Sequence, residues 1–174
     1  MRNIFNARFW LSFAMVVAGV VLRVLPHPWN FAPIGAIALF GGAHFERRFL
    51  AITIPLVTMF IGDCCIGYHS LMPVIYATYA LIAVIGMLLR DHRTSVAAVG
   101  AGVLASSIIF YVVTNFAVWA MGTTYAKTTT GLLACYVAAI PYFGNTLASD
   151  ALFTACFFGI FALIERNVPV FART

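Results

Sequence analysis

A carboxylate set inside a run of residues otherwise suited to lipid is the feature that most constrains this chain. Asp63 lies within Met59-Phe60-Ile61-Gly62-Asp63-Cys64-Cys65-Ile66-Gly67-Tyr68-His69, near the end of an apolar segment that opens at Phe49. An ionisable group at such a depth is costly unless it faces a bundle interior or a water-filled cavity. The fold must therefore supply a polar interior beside Asp63. The remainder of the chain is built for a bilayer: 63% of its 174 residues are hydrophobic, 9% are charged, and mean hydropathy is +1.01. Soluble domains are about half apolar and about a quarter charged. The chain accordingly reads as an all-α integral membrane protein. No linker, repeat or low-complexity block divides it, so residues 1–174 are expected to form one transmembrane domain.

Arg2 and Arg8 precede an apolar run over residues 9–22, read as an uncleaved first span because Arg23 stands where a cleavage site would fall. Pro26, Pro28 and Pro33 exclude a continuous helix through the next stretch, since each removes a backbone donor and restricts its predecessor. That stretch is a shaped loop. Residues 35–45 are rich in Gly and Ala and, even extended back to Pro33, cover only about two-thirds of the roughly 20 residues a perpendicular span needs. They form either a short, tightly packed span or a re-entrant one. Residues 49–68 and 72–89 read as full spans, and residues 95–121 would make a helix about 40 Å long that must tilt or project. Residues 132–143 are broken by Pro141 and followed by Gly144, which predicts an interfacial or partly inserted helix before a last span over residues 145–164.

The basic residues orient this arrangement. With about six spans, Arg2, Arg8, Arg47, Arg48, Arg90, Arg93, Arg166 and Arg173 share one side and only Arg23 and Lys127 lie on the other. The arginine-rich side is the cytoplasmic one, so both termini are expected there. A re-entrant reading of residues 35–45 would split the arginines, which favours six spans. The formal charge of +5 sits in short loops between apolar runs, so no nucleic-acid partner is expected.

On this topology Arg23, His27, Trp29, Asn30, His69, Tyr125 and Asn145 gather at the outer side. Asp63, Asn115, Trp119 and Asp150 lie near that end of their spans. These residues are the candidate substrate-binding set. With Tyr68 and Tyr136 they would wall a pocket whose aromatic faces and few polar groups suit a small organic solute better than a bare ion. Two readings compete with it. Arg23 paired with Asp63 or Asp150 would serve a structural or assembly subunit without a ligand. Two membrane aspartates also fit an intramembrane aspartyl protease, although Phe60-Ile61-Gly62-Asp63 lacks the first glycine of the GxGD pattern. No catalytic residue, cofactor or metal site is assigned, and no enzyme activity is expected. Cys64, Cys65, Cys135 and Cys156 show neither CxxC spacing nor a Cys/His cluster.

Ala14 and Ala18 put two small residues four apart on one face of the first span, where another helix can approach closely. The partner is either a neighbour in the bundle or a separate chain. Residues 33–45, Gly62-Asp63 with Gly67-Tyr68-His69, Thr114-Asn115-Phe116 with Trp119, and residues 135–150 carry a wider likeness. Through them the chain resembles a family of small, mostly uncharacterised bacterial membrane proteins that look related to the substrate-binding S components of energy-coupling factor transporters. The resemblance implies a multi-pass protein of the bacterial cytoplasmic membrane that captures a vitamin-like micronutrient at its outer face. It also implies docking, through Ala14 and Ala18, on a transmembrane coupling subunit. The ATPase subunits would be separate chains, since no GxxxxGK[ST] loop occurs here.

Overall fold

Apolar runs that cannot bond their backbone to lipid close their own hydrogen bonds, and each run becomes a helix. The computed structural model describes residues 7–26, 28 and 30–168, apart from the side chains of Ala7, Arg8 and Ile66. The helices are α1 (Ala7–Val24), α2 (Ile34–His44), α3 (Arg48–Ile66), α4 (Met72–Leu88), α5 (Val96–Met121) and α6 (Thr129–Asn167), with a 3-10 turn over Arg90–His92. Helices α3, α5 and α6 are long and apolar enough to cross a membrane, whereas α1, α2 and α4 are shorter apolar helices. Three candidate spans mark the chain as one suited to a membrane. Six full spans go beyond that.

The shortest helix is the centre of the bundle. Its 11 residues rise only about 16 Å, roughly half the hydrocarbon core. Residues from Gly35 to Ala43 are all buried, and α2 touches each of the other five helices. A helix that is apolar all round finds its place inside a bundle. Contact with α4 is backbone to backbone: a Cβ on Gly42 would collide with the Ala83 carbonyl, and one on Gly86 with the Leu39 carbonyl. Small residues permit that approach.

Burying a short helix leaves its end groups to be satisfied by other elements. At the N-terminal end the Asp150 carboxylate accepts the backbone N–H of Ala36, and it occupies the space where a Cβ of Gly35 would lie. At the other end Arg90 donates from Nε to the Gly42 carbonyl (3.1 Å), from Nη1 to Glu46 (3.1 Å) and from Nη2 to Phe45 (2.5 Å). A carboxylate thus meets the positive end of the helix dipole and a guanidinium the negative end.

The predicted break at Pro141 is not there. Residues 129–167 form one 39-residue helix with Pro141 inside it. Proline removes the bond to the Val137 carbonyl, yet membrane helices tolerate this where neighbours satisfy the freed backbone. Here the Tyr111 hydroxyl donates to the Tyr136 carbonyl at 2.6 Å, one residue from the missing bond, and the Tyr136 hydroxyl donates to the Val112 carbonyl at 2.7 Å. One continuous helix, tied to α5 beside the proline, replaces the interfacial or partly inserted helix and separate last span expected from the sequence.

Candidate functional site

Arg23, in the last turn of α1, reaches across to the last turn of α3. Its Nη2 donates to Asp63 Oδ1, and its Nη1 donates to the Met59 carbonyl at 3.1 Å. From the first turns of α4 the Tyr76 hydroxyl donates to Asp63 Oδ2 at 2.5 Å. Both oxygens of a carboxylate only 2% exposed are thereby satisfied. Asp150, on α6 and 3% exposed, is held differently: Ser107 of α5 donates to Oδ2 at 2.8 Å, and Ala36 donates its N–H. Among the described residues the two carboxylates do not bond each other.

Both open on a cavity of about 460 Å³ at the end of the bundle where α1 and α3 finish and α2 and α4 begin. Tyr79, Phe110 and Thr146 contribute to its wall, with Asn30 and His69 at the loops. A second lobe of about 280 Å³ shares Asn30, Ile75, Phe110 and Thr146 with the first and adds Tyr111 and Asn115. Asn30 holds a left-handed backbone, φ 59°, which asparagine accepts more readily than most residues. It lines both lobes.

Of the residues expected at one site, Arg23, Asn30, Asp63, His69 and Asp150 line the larger lobe and Asn115 the smaller. Asn115 also donates its amide to the Tyr111 carbonyl at 2.8 Å, one turn earlier in its own helix. Five others lie apart or out of view. Trp119 donates to the Ala126 carbonyl at 2.9 Å and lies under Lys127, whose ammonium is 5.6 Å from its ring centroid and bonds the Trp119 and Gly122 carbonyls. Trp119 and Lys127 thus tie the α5–α6 turn, and Tyr125 within that turn lines neither lobe. Asn145 is half-buried on α6 and also lines neither. His27 and Trp29 lie outside the described residues.

Tyr68 and Tyr136, expected as walls, are elsewhere too. Tyr68 is exposed with its hydroxyl 3.2 Å from Cys64 Sγ; that contact, with the charge of Asp63 behind it, holds the phenol above its ordinary pKa. Tyr136 joins α6 to α5. The aromatic walls come instead from Tyr76, Tyr79 and Phe110, and Ser107 holds Asp150. The spacing of Tyr76 and Tyr79, three apart on one helix face, was the available signal for two of them. Ser107 carried none, because a serine in an apolar helix ordinarily bonds its own backbone. Ala14 and Ala18 are exposed on α1. All four cysteines are free, and no group of three His, Cys, Asp or Glu side chains among the described residues is arranged to hold a metal ion.

A model of a protein family described as a family of unknown function (DUF6580) matches residues 3–171. No curated protein and no solved structure matches the chain.

Proposed function

Starting from a chain that belongs to the DUF6580 family, we propose a membrane protein that captures a small organic solute in the cavity between Asp63 and Asp150. The cavity itself carries this reading. An ion-pair network that served only stability would close on itself, as Arg23, Asp63 and Tyr76 do, and would need no adjoining space. Yet about 460 Å³ remains beside it, within the roughly 300–1,000 Å³ of small-molecule sites, with aromatic and aliphatic surface set beside its charged and polar groups. The cavity faces the outer side if the arginine-rich end is cytoplasmic, so the solute would enter from outside. The role is binding and delivery, not catalysis, because each carboxylate is engaged by its own partners and neither faces the other as a proton-sharing pair.

A second observation favours delivery through a partner. Ala14 and Ala18 face outward on α1, so they do not serve packing within this bundle. Their face is free to receive a transmembrane coupling subunit, with ATPase subunits on further chains and a vitamin-like micronutrient as cargo. Mild extraction followed by mass spectrometry of bound small molecules tests the capture role. A solute that recurs across preparations and is lost when Phe110→Trp fills the cavity supports it. A cavity empty in every preparation, in a protein that no added solute stabilises, overturns it and leaves the structural-subunit reading.

A further inference from the structure

We infer that the captured solute carries a protonated amine and that Asp150 is its counter-charge; this rests on the capture reading and narrows it. The two carboxylates of the cavity are equally buried but unequally compensated. Asp63 has a guanidinium on one oxygen. Asp150 has a hydroxyl and a backbone N–H, and no cationic side chain within ion-pair reach among the described residues. The N-terminus of α2 supplies only about half a unit of positive charge. A buried carboxylate without a full counter-charge is costly, and a cation entering the cavity removes that cost. Room for it exists at the oxygens, since Ser107 and Ala36 fill two of about four lone-pair directions.

The facing wall is suited to the same group. Tyr79 is 6% exposed and lies within electrostatic range of Asp150, Arg23 and Asp63. Its hydroxyl has no hydrogen-bond partner among the described residues, and it lines the cavity. An ammonium N–H can donate to it. The Tyr79 and Phe110 rings, 5.2 Å apart and inclined by 31°, present aromatic surface to the same space, and aromatic faces attract cations. An anion finds less: the Arg23 guanidinium is already held by Asp63 and the Met59 carbonyl. Ile75 and Met72 give the body of the solute an apolar surface.

The test uses the full chain in lipid nanodiscs, titrated calorimetrically with three probes of matched shape: 2-phenylethylammonium, 2-phenylethanol and 3-phenylpropionate. The ammonium should bind at least tenfold more tightly than the alcohol, and the carboxylate no better than the alcohol. Tyr79→Phe should weaken the ammonium about tenfold, leave the alcohol unchanged and leave unliganded melting nearly as before. Asp150→Asn should abolish the preference for the ammonium; if that variant does not fold, Tyr79→Phe decides. Alcohol or carboxylate binding as tightly as the ammonium overturns the amine and leaves capture standing. If no probe binds, the co-extracted solute decides: a basic nitrogen upholds the inference, a solute without one overturns it alone, and an empty cavity overturns the capture reading with it.

Discussion

Arg23 and Asp63 stand 40 residues apart and meet with side chains 11% and 3% exposed. Removing one partner of such a pair leaves a charge with no counterpart, which typically costs about 3–5 kcal/mol, whereas replacing both by apolar groups is often neutral. Arg23→Gln and Asp63→Asn should therefore each lower the thermal midpoint substantially, while Arg23→Met with Asp63→Leu should recover most of the loss. Thermal melts of the four proteins in one detergent measure this. A loss in the double variant equal to the sum of the two single losses would show that the pair is not coupled. The sequence named both residues and left open whether Arg23 meets Asp63 or Asp150. Hydropathy marks a buried charge as needing a partner but holds no information about which helix ends adjoin.

At the scale of elements, α2 is held at both ends by side chains of other helices. Its apolar character was plain in the sequence, and its shortness was the reason for hesitating between a span and a re-entrant segment. Charge-assisted hydrogen bonds contribute about 1.5–3 kcal/mol each, so Arg90→Gln, which gives up the charge and most of the fork, should destabilise the protein by at least one such bond. Arg90→Lys should restore only part of it, because an ammonium lacks the planar fork that reaches three carbonyls. Hydrogen exchange read for residues 34–45 should show α2 opening more readily in both variants; unchanged protection would mean the clamp does not hold the helix. Burial also draws the Arg90 guanidinium below its ordinary pKa, with Arg48 adding to the effect. Helix α6 carries the opposite lesson. Pro141 is a sound local signal for a break, yet α6 runs through it, joined there to α5 by the Tyr111 and Tyr136 hydroxyls.

Across the whole molecule, the arginine distribution predicts a cytoplasmic arginine-rich end and an outer cavity. Cysteine labelling on a cysteine-free background should modify Lys127→Cys only from outside; labelling only from the cytoplasm would invert the topology and the direction of capture. If α1 docks a coupling subunit, Ala14→Leu with Ala18→Leu should abolish uptake while melting and solute binding stay close to wild type, since neither alanine is buried in the bundle. Uptake at the wild-type rate would remove that docking face. The sequence by itself determined the helical, lipid-suited character of the chain and which polar residues were out of place, because hydropathy and charge can be read one residue at a time. Only the tertiary structure decided that Arg23, Asp63 and Tyr76 close a network, that Asp150 and Ser107 meet at the start of α2, and that Trp119 and Tyr125 stay with their own turn. Those outcomes depend on how helices distant in sequence pack around a short central one, and no local pattern encodes that distance.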